Sequence, residues 1–156
     1  MTRTVTRRAT AFDPVARAAW AWTMLDAIGS RHTIARTMVV DILAAVDGHL
    51  PITEIHERVA ATRPEINLST VHRTIAFLVE HGVAHPLPLP GEGRYGLNDA
   101  PHHHAVCDTC GAVSEIAAQT LAAAVTAAER SSDFTLGDSG LALFGRCPAC
   151  RGRTRR

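Results

Sequence analysis

The feature that most constrains this chain is its pair of Cys-x-x-Cys motifs, CDTC at Cys107 and Cys110 and CPAC at Cys147 and Cys150, which hold all four of its cysteines. Two intervening residues let the backbone turn and bring both sulfurs of a pair to within about 4 Å of each other around a tetrahedral ion. Gly111 after the first pair and Pro148 inside the second suit such tight knuckles. About 36 residues separate the pairs, more than in a compact zinc ribbon, so a folded segment must carry the second knuckle back to the first. Redox dithiols and disulfides are the competing readings. In a reducing compartment, metal ligation comes before either. A closed set of four thiolates leaves no open coordination position, which favours zinc in a structural role.

A second candidate site lies just upstream. His102, His103 and His104 precede the first knuckle. Alternate side chains of an extended segment share a face, so His102 and His104 point one way and His103 the other. Glu115, on the return arm, is placed to join a face. A set of imidazoles and a carboxylate suits Zn, Fe, Mn or Ni and is less zinc-selective than thiolates. A further ligand from the N-terminal half would make this site a clasp between two parts of the chain.

The rest of the sequence supplies those two parts, and α+β is the expected fold class. Residues 1–10 carry three Arg and no acid and read as a basic disordered tail. Helices are expected over 11–28, with Val15, Trp20, Met24, Leu25 and Ile28 on one side, over 33–46, with Ile34, Val39, Ile42, Leu43 and Val46 inward, and over 52–61. The segment NLSTVHRTIAFLVEHGV reads as a fourth helix, capped by Ser69 or Thr70, with Val71, Ile75, Leu78 and Val79 inward and Gly82 as its stop. Its first turn presents Ser69, Thr70, His72 and Arg73, a helix-turn-helix pattern that any compact helical domain also approximates. VAHPLPLPGEGRYGLND then reads as a hairpin turning at Gly91-Glu92-Gly93, its first arm irregular or an exposed edge because Pro86, Pro88 and Pro90 lack donors. The expected layout is a winged helix-turn-helix domain over 11–98 and a small zinc-stapled α/β dimerisation domain over 99–156. In the second domain a hairpin, an Ala-rich helix over 117–130 and the strand LALFGRC enclose little core, so a metal or a partner subunit is needed.

Composition excludes little. The net charge of +1 neither demands nor forbids nucleic acid, but the termini are basic, RGRTRR carrying four Arg. No apolar run nears the roughly 18 residues that span a bilayer, and no apolar stretch ends in a small-residue cleavage site. No membrane association and a cytoplasmic location are the expectations.

These motifs, in this order, resemble the ferric uptake regulator (Fur) superfamily of metal-responsive repressors, its zinc-uptake-regulator-like (Zur-like) members included. LSTVHRTIAFLVEHG is similar to the family's recognition helix, HHHAVCDTCGAVSEI to its His-rich Cys-x-x-Cys segment, and LFGRCPAC to its closing Cys-x-x-Cys. The resemblance spans about residues 34–151. It implies a homodimer that binds an inverted-repeat operator in double-stranded DNA when loaded with metal. It also implies a structural zinc on the four cysteines and a regulatory divalent metal, zinc first and Fe, Mn or Ni next, on His49, His102, His104 and Glu115. Ser69, Thr70, His72 and Arg73 are expected at the groove, with Arg36 and the N-terminal tail on the phosphate backbone.

The chain departs from the family pattern at several positions. Gly96 stands where a wing-strand Glu, Asp or Cys ligand is usual, and His85 is placed to supply the missing donor. Ser139 and Pro101 replace histidines of a further family site, which is therefore expected to be absent. His72 replaces the recognition-helix Tyr. An iron-, manganese-, nickel- or peroxide-sensing regulator is the alternative to zinc sensing. A metal-dependent hydrolase on the His cluster is the remote rival, lacking any H-E-x-x-H motif, and a metal buffer without DNA binding is a third reading.

Overall fold

A computed structural model describes residues 12–87, 89, 91–136 and 140–152. The expected tail over 1–10, the last four residues, Pro88, Pro90 and Ser139 lie outside the described residues. The described chain is α+β and divides into two compact units after Asp99.

The helical unit contains α1 (Pro14–Ala27), α2 (Ile34–Ala44), β1 (Leu50–Pro51), α3 (Ile52–Ala60), α4 (Leu68–Glu80), β2 (Ala84–Pro86) and β3 (Arg94–Leu97). Its core is aliphatic, built on Leu25, Val39, Leu43, Ile55, Val59, Val71, Ile75 and Leu78. Asp13 caps α1 by accepting from the Val15 and Ala16 amides, and Pro14 follows at the first helical position, where no amide is needed.

The inward stripe of α1 differs from the expected one. Arg17, Ala21 and Leu25 are buried at four-residue spacing, while Val15, Met24 and Ile28 are exposed. Arg17 holds that position because its donors are satisfied. Its Nε and Nη2 donate to the Asp99 carboxylate at 3.0 and 3.2 Å. Its Nη1 donates to the carbonyls of Ala44 and Val46, where α2 ends. A buried charge so bonded tolerates removal from water. Ile34 is likewise exposed rather than inward: it opens α2, ahead of the first turn that meets the core.

Asn67, not Ser69 or Thr70, caps α4. Its Oδ1 accepts from the Thr70 amide at 2.9 Å and the Thr70 hydroxyl at 3.1 Å, because the helix starts at Leu68. Gly82, at φ +70°, stops it as expected. The hairpin pairs β2 with β3 and β3 with β1, in the order β1-β3-β2, so β2 is an edge strand and tolerates Pro86. At the hairpin turn, Glu92 accepts from the Thr53 amide and hydroxyl at 3.1 and 2.5 Å, clamping the wing to the start of α3.

The second unit is a three-stranded sheet with one helix: β4 (His102–Cys107), β5 (Val113–Ala117), α5 (Ala118–Ser132) and β6 (Ala142–Gly145). β4 is central, antiparallel to β5 and parallel to β6. A parallel partner requires a crossover, which α5 provides. Parallel pairing also sends β4 and β6 out of the sheet at the same end, delivering both cysteine knuckles to one place. No residue of α5 is buried, and Phe134, Leu143 and Phe144 are exposed, Phe144 by 62%.

Candidate metal centres

The four cysteine sulfurs all lie within 4.8 Å of one another. Cys107 ends β4, which places Cys110 in the turn that follows. The Asp108 amide donates to the Gly145 carbonyl at 2.9 Å, continuing the strand pairing to the edge of the second knuckle. Each knuckle closes on itself: the Gly111 amide donates to Cys107 O, and the Cys150 amide to Cys147 O, both at 2.9 Å. Gly111 turns at φ +70°, which a side chain would resist.

A tetrahedral zinc with bonds of about 2.3 Å separates its sulfurs by roughly 3.8 Å. Cys110 Sγ and Cys147 Sγ stand 3.7 Å apart, so the donor set fits such an ion. The thiols are unequal in their acidity. The Cys147 amide, then the Cys110 amide, donate to the Cys107 sulfur and lower its pKa to about 6. Cys150 is pushed up to about 12, first by its sulfur contact with Cys147 and then by burial. Four thiolates cannot share this volume without a cation to offset their repulsion.

Each unit carries a pair of adjacent histidines, His49 with His85 in one and His102 with His104 in the other. In the helical unit, His49 follows the turn after α2 and His85 lies on β2. Their Nε2 atoms meet at 2.8 Å, the rings edge to face, with His85 only 5% exposed. A single shared proton joins two ring nitrogens that converge on one point, an arrangement in which a cation can take the proton's place.

In the second unit β4 alternates as expected. His102 and His104 are buried and His103 is half-buried. His104 pairs with Glu115 across the sheet, and His102 Nε2 lies 3.6 Å from Glu115 Oε1, so the three share a face. The Ala100 carbonyl stands 2.8 Å from His102 Nδ1. A carbonyl only accepts, so Nδ1 carries a proton and Nε2 is the nitrogen left for a metal, the outer bond being of the kind that typically orients a metal-ligating histidine. His103 bonds in the other direction. Its Nδ1 accepts from the Leu141 amide at 3.0 Å, fastening the segment that enters β6. Gly140 runs against the same strand, where a Cβ would collide with the His102 carbonyl oxygen.

On α4, Ser69, His72 and Arg73 are exposed and Thr70 is half-buried, with Arg73 donating to the Thr70 hydroxyl at 3.1 Å. Arg36 is half-buried. Its guanidinium lies 4.0 Å above the Phe77 ring and donates to Ser30 Oγ and to the Arg31 carbonyl. Sequence reasoning missed Arg17, although its spacing with Ala21 and Leu25 was visible, because an Arg inside an apolar stripe is normally assigned to the outer face.

Comparisons with known proteins give the chain its family. Residues 27–144 match the model of the ferric uptake regulator family. The ferric uptake regulation protein of Bacillus subtilis (strain 168) is 34% identical over 117 residues, covering 72% of this chain and 78% of its own length. The peroxide-responsive repressor PerR of Staphylococcus saprophyticus is 23% identical over 124 residues, covering 79% and 84%. The fold is shared with the ferric uptake regulator Fur of Helicobacter pylori, a structure described as having three functional metal-binding sites. Its TM-score is 0.70 at 19% identity, covering 96% of this chain and 99% of that one. A zinc uptake regulator complexed with zinc and DNA gives 0.66 at 23% identity, covering 90% and 96%. The hydrolase reading finds no support in this company. The chain belongs to the ferric uptake regulator family, metal-responsive DNA-binding transcriptional regulators rather than enzymes.

Proposed function

We propose that this regulator is a homodimeric, zinc-dependent repressor of metal-homeostasis genes that works in the cytoplasm, with one structural and one sensing metal per chain. The observation that carries the reading is the division of donors. The thiolates form a closed set in the second unit, while each unit carries its own pair of adjacent imidazoles. A structural ion fits the cysteines, Cys107, Cys110, Cys147 and Cys150. The sensing site would draw His49 and His85 from the winged-helix domain and His102, His104 and Glu115 from the dimerisation domain. The joining segment, Asn98 to Pro101, would then act as a hinge.

A divalent ion supplies the charge and directed bonds that make the closed arrangement preferable. Everything else is done by the chain. His85 takes the part of the donor that Gly96 lacks. His102, with Nδ1 held by Ala100 O, offers Nε2 without having to change tautomer. Gathering both groups restricts the hinge and fixes the spacing of two α4 helices across a dimer, about one DNA turn apart on an inverted repeat. Moving that population decisively takes several kcal/mol of preference for the closed form, within reach of a multidentate site. Ser69, Thr70 and His72 would face bases, and Arg73 phosphate or a guanine edge. Arg36 would reach the backbone from its seat on Phe77.

Homodimerisation is supported by the exposed Phe134, Leu143 and Phe144 and by a helix with no fully buried residue, since a unit with so little core gains most from a second copy. Zinc is preferred for the sensing site because the set is dominated by imidazole, which suits zinc and nickel better than manganese. The test is a gel shift with and without chelator, followed by metal titration. Binding restored by one added equivalent of zinc per chain is the expected result, and failure to bind any DNA with metal present overturns the reading. His102→Ala should stay folded and dimeric yet ignore added zinc. If that variant unfolds like a cysteine variant, the division into two sites is wrong.

A further inference from the structure

Gly96 lies in β3, directly across from His85 in β2. The turn that carries His49 closes over the same spot. A Cβ added at Gly96 would stand 2.9 Å from Gly48 O, 3.0 Å from His49 Cδ2 and 3.1 Å from His49 Nε2. The last atom is the one that meets His85 Nε2 at 2.8 Å. Gly96 is not among the glycines with positive φ, so its backbone conformation does not demand glycine. A glycine inside a strand weakens it and leaves nothing to pack, and it commonly marks a close approach. Here the close approach is that of the Gly48 carbonyl and the His49 ring behind it.

We infer that Gly96 is a specificity-determining residue: its missing side chain is what lets His49 and His85 converge. The helical unit thereby offers a two-nitrogen chelate in place of any donor borne by β3 itself. The inference rests on the metal-sensing reading above and narrows it. Any side chain at position 96, including a carboxylate or thiol able to bind metal itself, would have to displace the Gly48-His49 turn first. The site's ligand class is therefore a borderline divalent cation matched to neutral imidazole nitrogen, such as zinc, cobalt or nickel.

The test uses the full-length protein with its cysteine-bound metal in place and Co(II) as the probe. The wild type should take up one further Co(II) per chain, read from ligand-field absorbance and displaced by zinc. Gly96→Ala should weaken that uptake by about tenfold or more, the scale of losing a ligand-orienting contact, with the cysteine-bound zinc content unchanged. Before Co(II) is added, imidazole nitrogen NMR should show the N–H···N bond between His49 and His85 in the wild type and its loss in Gly96→Ala. Unchanged Co(II) affinity in Gly96→Ala overturns the inference while leaving the sensing reading intact. No further uptake by the wild type, with DNA binding indifferent to metal, overturns both. Should Gly96→Ala fail to fold, His49→Ala/Gly96→Ala decides. Recovered thermal stability without Co(II) uptake identifies the ring as the obstacle, and no recovery overturns the inference.

Discussion

The two units bury different chemistry. In the helical unit the buried residues are overwhelmingly aliphatic, from Leu25 through Leu78 to Leu97. Among the described residues of the second unit, the buried ones are His102, His104, Val106, Cys107 and Cys150. One unit is held by the removal of apolar surface from water. The other has almost none to remove and relies on donor atoms. Metal removal should therefore separate them. Cys150→Ser, or a chelator strong enough to strip the cysteines, should cost the second unit on the order of 10 kcal/mol, the scale of structural zinc in small domains. Hydrogen exchange should show β4, β5 and β6 losing protection while α2, α3 and α4 keep theirs. If all elements lose protection together, the contrast between the units is broken.

The helical unit buries two polar side chains outside its aliphatic core, His85 and Arg17, and the next largest effect lies at Arg17. Arg17 and Asp99 are 7% and 10% exposed at the side chain and bonded through two contacts. Arg17→Met leaves a buried carboxylate without its guanidinium and the α2 carbonyls without their donor. Losing one partner of a buried pair typically costs about 3–5 kcal/mol. The urea midpoint of the helical unit should fall accordingly, and Arg17→Met/Asp99→Asn should recover part of the loss. Full tolerance of Arg17→Met would mean that this unit is aliphatic in its energetics throughout.

What could be read from the sequence divides along the same line. Cysteine spacing constrains geometry by itself, and the alternation of His102, His103 and His104 follows from the pleat alone, so both features emerge as expected. The α4 stripe of Val71, Ile75 and Leu78 is equally local. Rotation of α1 is not local: Arg17 turns inward only because Asp99, far along the chain, stands ready to receive it. The meeting of His49 with His85 depends on strand register and on the absence of a Cβ at Gly96, neither of which a helical or strand period encodes. The cap of α4 was missed for a simpler reason, since Asn67, Ser69 and Thr70 are all competent caps and only the helix start chooses among them.

That cap allows a finer test of whether local bonds matter inside a unit governed by its core. Asn67→Ala removes the acceptor for the Thr70 amide and should cost about 1 kcal/mol. The loss should appear as early exchange of the first-turn amides of α4, with the core amides of α2 unaffected. Because Ser69, Thr70 and His72 sit in that turn, operator affinity should fall as well. A global loss of protection would show that α4 and the core unfold as one.

The smallest effect concerns the wing. Glu92 is exposed, and its pKa is lowered, first by the Thr53 hydroxyl and then by the Thr53 amide. A carboxyl whose folded pKa is depressed contributes stability that is fully present above its unfolded value and is lost as pH falls through the folded one. The clamp between the hairpin turn and α3 should therefore hold at neutral pH and release only as pH falls below the ordinary carboxyl range. Thr53→Val removes the hydroxyl donor, so the Glu92 titration, followed by carboxyl-carbon NMR, should move back up toward that range. Glu92→Ala should free the turn at every pH, seen as faster exchange of the Thr53 amide, with the melting temperature of the helical unit scarcely moved. A large fall in melting temperature would make the wing part of the folded core rather than an appendage pinned to its edge.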